Sequence, residues 1–168
     1  MKLTFKILTT LLILLALGCG GKEEKKKEKI KLTEKAPQET KQEEATPSKK
    51  ASEIVDMENK GVGPVKEVTL APTIDEAMAA RGQEIFKQMC TACHKTDKKF
   101  IGPALAGVTE RRSPEWIMNM ILNPEVMIQK DPLAKQLLTE HNGSPMANQN
   151  LTEEEARAVV EYFRTLKE

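Results

Sequence analysis

The chain has 168 residues, of which 30% are charged and 4% aromatic, and its formal net charge is +1. That length accommodates one small domain with an extension, and so even a charge balance excludes the strongly basic surface of a nucleic-acid-binding protein. Three cysteines, one of them near the start of the chain, do not make a disulfide framework.

In chain order, Lys2 and Lys6 precede an apolar run from Ile7 to Leu17. The run is too short to span a bilayer and has the form of an export signal. Ala16-Leu17-Gly18-Cys19 closes it and resembles a bacterial lipobox, which implies a signal peptide over 1–18 and acylation of Cys19. The lipobox's commonest pattern has leucine where this chain has Ala16. An uncleaved N-terminal anchor is the other reading, and both put the chain at a membrane.

Residues 19–60 are rich in Lys and Glu, carry few large apolar side chains and are interrupted by Pro37 and Pro47. Such a segment cannot bury enough surface to offset its chain entropy, which predicts a disordered tether. Forty flexible residues reach about 35 Å. Residues 61–72, with Gly61, Gly63 and Pro64, form a transition arm, and 73–168 is the domain.

Within the domain the periodicity is helical and no run alternates like a strand. Thr73-Ile74-Asp75-Glu76 has the form of a capping box. It opens a helix that turns Ile74, Met78, Ile85, Phe86 and Met89 inward. That helix runs into Cys90-Thr91-Ala92-Cys93-His94, the most specific motif in the chain. The spacing is the one required for covalent attachment of a c-type haem: two thiols for two vinyl groups and a histidine for the iron. A zinc site would need further ligands, and only His141 and Cys19 remain. A thioredoxin-like redox pair would sit in alternating strands and helices, which are absent here.

Further on, Gly102-Pro103-Ala104-Leu105 forms a turn. Ser113-Pro114-Glu115 starts a second helix, with serine as N-cap and proline at its first position. It carries Trp116, Ile117, Met120 and Ile121 and ends at Asn123-Pro124. Asp131-Pro132 starts a shorter helix through Leu138. Ser144-Pro145-Met146 lies on a loop, and Thr152 with Glu155 makes a capping box ahead of Val159, Val160, Phe163 and Leu166. The fold class is all-α.

These residues together resemble a monohaem class I cytochrome c over about Met78 to Leu166, in a lipoprotein-anchored bacterial form. The resemblance implies the cytochrome c fold, a small helical domain around one haem c bound covalently through Cys90 and Cys93. It implies His94 and Met146 as the iron ligands, a Pro103 carbonyl that orients His94, and Leu105 packed on the porphyrin. It also implies that Gly82 and Phe86 face Tyr162, Phe163 and Leu166 where the first and last helices cross. Trp116 or Arg112 would hydrogen-bond a haem propionate, with Trp116 as plain core the other reading. His141 is the competing distal ligand, or a loop residue.

The functional expectation is a membrane-tethered electron carrier that catalyses no reaction, on the periplasmic side of a bacterial membrane. Its donor would be a quinol-oxidising complex, and its acceptor a terminal oxidase or periplasmic reductase. Two alternatives stay open: a haem-based sensor or enzyme with a labile sixth ligand, and a structural lipoprotein. From residue 71 on, twelve Lys and Arg stand against fourteen Asp and Glu. Lys95, Lys98, Lys99, Arg111 and Arg112 cluster near the motif and Glu153, Glu154 and Glu155 lie apart, an asymmetry suited to steering a redox partner.

Overall fold

The computed structural model describes residues 49–167. The export signal, Cys19 and the tether as far as residue 48 lie outside them. Among the described residues there are six α-helices and no strand; Asp56 and Arg112 form one isolated parallel bridge. No described helix is long and apolar enough to cross a membrane.

Helix α1 spans Glu76–Met89, and its N-cap is Asp75, whose carboxylate accepts from the Met78 amide at 2.9 Å. The cap therefore falls two residues later than the Thr73 box predicts. The Asp75 amide is itself held by the Glu161 carboxylate at 2.9 Å, which fixes the start of the helix from outside the segment. Helix α2, Val108–Arg111, is one turn long and too short to leave a periodicity. Helix α3, Pro114–Leu122, begins as predicted, with the Ser113 hydroxyl accepting from the Trp116 amide at 3.1 Å.

Pro124 starts helix α4, Pro124–Lys130, directly after α3. Asn123-Pro124, expected only to end α3, also opens a helix, because proline suits a helix's first position as well as a helix's end. Helix α5, Pro132–Glu140, is capped by Asp131 and runs two residues beyond Leu138. Helix α6, Glu153–Thr165, carries the predicted Thr152–Glu155 capping box in full.

Helices α1 and α6 pack through Gly82. A Cβ built at that position would lie 1.9 Å from the Ala158 carbonyl oxygen, so the two backbones meet there and only glycine fits. One turn on, the Phe86 ring stands edge-on to Phe163 at 5.9 Å and tilted against Tyr162 at 5.5 Å. Val159, Val160 and Phe163 extend this contact into the core. Glu161, 1% exposed, forms ion pairs with Arg157 and Arg164 at 2.5 Å each, so the charge buried beside Asp75 is paired on both sides.

The chain joins the domain earlier than its composition predicts. Residues 51–60, read above as tether, lie on it: Ala51 is buried, and Ser52 donates its amide and hydroxyl to Glu140 at 2.9 and 2.5 Å. The Arg112 guanidinium donates to the Ala51 carbonyl at 2.6 Å and to the Ile54 carbonyl. Asn119 accepts from the Val65 amide at 3.0 Å and donates to the carbonyls of Lys60 and Val65. What orders this strap is therefore the buried polar side chains of the helices, which satisfy its backbone. Its own residues carry little sign of it.

Candidate functional site

Helix α1 ends at Cys90, and the next turn closes with the Cys93 and His94 amides donating to the Cys90 carbonyl at 3.1 and 2.9 Å. The Gly102 amide donates to the Cys93 carbonyl at 2.9 Å and draws the following loop against the motif. Cys90 is half-buried and Cys93 exposed. Burial, with Cys93 beside it, pushes an unattached Cys90 thiol up to about 11.

His94 Nδ1 lies 3.1 Å from the Pro103 carbonyl oxygen. A carbonyl only accepts, so Nδ1 carries the hydrogen and Nε2 keeps its lone pair. Burial lowers the imidazole's pKa against the opposing effect of the Pro103 bond, and His141 lowers it further, so the ring is neutral at neutral pH. A neutral, oriented imidazole with a free Nε2 is what a metal requires. Gly102 backs the ring: a Cβ there would stand 2.4 Å from His94 Cε1.

Cys90, Cys93, His94, Pro103, Leu105, Trp116 and Met146 all line one cleft, so the structure brings together the residues expected to hold the haem. Leu105 is buried in its wall, and Met146 enters half-buried from the loop between α5 and α6.

Trp116 contributes its ring and not its N–H. The indole nitrogen donates to Asp131 Oδ1 at 3.2 Å, which removes the donor expected for a propionate. Asp131 also caps α5 and accepts from Asn59, a junction that the sequence gives no sign of. The neighbouring Arg112 stacks on Trp116, its guanidinium carbon 5.4 Å from the ring centroid. Its Nε is buried and has no partner.

His141 is more than a loop residue. It caps the C-terminal end of α5, is 4% exposed and lines the cleft, with Nδ1 3.0 Å from the Ile101 carbonyl oxygen. Its Nε2 is buried without a partner. Only its rarity in the sequence could have drawn attention to it.

The basic residues are partly engaged. Lys95 lies over the Phe100 ring at 5.0 Å, Lys99 donates to the Glu140 carbonyl at 3.0 Å and Arg111 to the Ala106 carbonyl at 2.8 Å. Phe100 and Ile101 stay exposed among them.

The residues fit a haem. Two thiols and an imidazole line an apolar cleft, a thioether reaches the same cleft, and the unpartnered buried Arg112 Nε–H suits a carboxylate that such a group carries.

Residues 79–167 match the family model described as Cytochrome c. Cytochrome c2 of Rhodopseudomonas palustris is 30% identical, the match covering 53% of this chain and 98% of the relative. Cytochrome c-551 of Ectopseudomonas mendocina is 34% identical, covering 52% of this chain and all of the relative. Among solved structures, cytochrome c from Rhodothermus marinus superposes with a TM-score of 0.60 at 49% identity, covering 70% of this chain and 93% of that one. An engineered form of the Rhodothermus protein, bound to a carbene intermediate, superposes with a TM-score of 0.58.

Proposed function

This chain belongs to the cytochrome c family and is an electron-transfer haem protein, and we propose that it is a membrane-tethered single-electron shuttle with His94 and Met146 as its iron ligands. Family membership implies covalent haem c, for which Cys90 and Cys93 stand at the required spacing. When attached, that group supplies one reversible electron, cycling between Fe(II) and Fe(III). The protein's own residues fix how easily the electron is held. The observation that carries the reading is the His94 ring: its Nδ1–H is tied to Pro103 and its Nε2 is free at a cleft that Met146 shares.

A thioether is a neutral ligand and favours the ferrous state, which suits a high-potential carrier. Leu105 and the ring of Trp116 exclude water, which limits the solvent rearrangement that each electron requires. Exposed Phe100 and Ile101, with Lys95, Lys98 and Lys99 nearby, support a small transient contact with an acidic redox protein. The donor would be a quinol-oxidising complex and the acceptor an oxidase or periplasmic reductase. The lipobox-like Cys19 supports lipid anchoring on the periplasmic side, which raises the carrier's effective concentration near such complexes.

Two measurements test this reading. The full-length protein should partition into detergent and a Cys19→Ser form should not; equal partitioning would remove the anchor. The reduced protein should not bind carbon monoxide; tight binding would favour a sensor or enzyme with an open iron.

A further inference from the structure

Arg112, 2% exposed at the C-terminal end of α2, is shared between two parts of the molecule. Its Nη2 donates to the Ala51 carbonyl at 2.6 Å, and its Nη1 to the carbonyls of Ile54 and Arg111. The Trp116 ring lies against the group, 5.4 Å from centroid to Cζ. Its Nε is buried without a partner among the described residues, and Arg112 lines the cleft. The three bonds all end on neutral carbonyls, so none of them cancels the positive charge.

A guanidinium is planar and rigid, so fixing its two outer nitrogens fixes where the third N–H points. Two of the three fixing bonds come from the strap, which lies ahead of the residues 79–167 that match the family. Ser52, between the two strap carbonyls, lines the cleft itself and is clasped to Glu140. A buried donor left alone is costly, and an ionised carboxylate is the acceptor that a permanent cation holds best.

We propose that the strap is a positioning element for electron transfer: through the Ala51 and Ile54 carbonyls it aims Arg112 Nε–H at a haem carboxylate and so raises the potential. This rests on the haem-carrier reading above. A cation held there offsets the carboxylate's negative charge, which otherwise favours the ferric state. Released from the strap, the long side chain turns its charged end toward water and the offset is lost. The electron still comes from the donor and leaves to the acceptor; the strap only weights the two oxidation states. The coupling is reciprocal, so reduction favours the closed strap by the factor by which the closed strap favours reduction.

The test uses the haem-loaded full chain, a form lacking residues 51–56, and both of these with Arg112→Gln. Losing residues 51–56 should lower the midpoint potential in the Arg112 background. It should change nothing in the Arg112→Gln background, where no guanidinium remains to be aimed. An unchanged potential in the first case would overturn the proposal. An equal fall in both backgrounds would overturn it too, because the strap would then act only by keeping water out of the cleft. Should a variant not retain haem, amide exchange in the parent decides the matter. The Ser52 and Asp56 amides, bonded to Glu140 and to the Arg111 carbonyl, should exchange more slowly in the ferrous than in the ferric protein. Each tenfold ratio of those rates corresponds to about 59 mV of potential, and equal rates in both states would overturn the proposal. Failure of the carrier reading itself would look different, as carbon monoxide binding or loss of the haem spectrum.

Discussion

Ser52 and Glu140, 88 residues apart, are joined by two hydrogen bonds at 2.9 and 2.5 Å, from the amide and the hydroxyl of one to the carboxylate of the other. The clasp fastens the strap to the last residue of α5, next to His141. Burial works to raise the Glu140 pKa, but the two Ser52 bonds, with His141 and Lys99, hold it below the usual range. Glu140→Gln should therefore cost about 1–2 kcal/mol and speed amide hydrogen exchange over residues 51–56. Unchanged exchange there would show that Arg112 and the Asp56–Arg111 backbone bond hold this part of the strap without Glu140.

The backbone contact at Gly82 makes a sharper prediction. Gly82→Ala places a methyl 1.9 Å from the Ala158 carbonyl oxygen, and neither backbone can yield without parting α1 from α6. Overpacking costs about 1–3 kcal/mol or more, and alanine's helix preference returns less than about 1 kcal/mol. A net loss of about 2 kcal/mol in urea unfolding is expected, with no change in the visible spectrum of the protein that remains folded.

Acid should unfold the domain through its buried carboxylates. For Glu161, burial raises the pKa, but the Asp75 amide, Arg157 and Arg164 together hold it below the usual carboxylate range. A depressed folded value contributes stability that is complete above the unfolded value and is lost as pH falls through the folded one. Stability should thus decline as pH falls below the ordinary glutamate value of about 4.3. Glu161→Gln, which strands Arg157 and Arg164, should cost about 3 kcal/mol at pH 7. At pH 3 thermal melting should show a smaller gap between parent and variant.

Trp116→Phe separates a packing role from a propionate role. The indole N–H donates to Asp131 and not into the cleft. The substitution should cost about 1 kcal/mol and leave the midpoint potential unchanged. A large shift in potential would return Trp116 to the haem carboxylates.

The site was legible where its chemistry is local in the chain. Cys90, Cys93 and His94 share one turn, Pro103 follows within ten residues, and the crossing glycine stands out in a helix that has no other reason to carry one. The caps at Ser113, Asp131 and Thr152 were legible for the same reason. What escaped depends on distant partners. The N-cap of α1 is decided by Glu161, the Trp116 donor by Asp131, and the order of the strap by Arg112, Asn119 and Glu140. His141 became informative only once its second nitrogen proved to be buried and alone. None of these pairings leaves a spacing or a periodicity to read.

Ligation of the iron by His94 and Met146 is read from the far-red absorption of the oxidised, haem-loaded protein. A weak charge-transfer band is expected in the parent and should be lost in Met146→Ala. A band absent from both, or one that survives the substitution, would contradict it and turn attention to His141 or to an open iron.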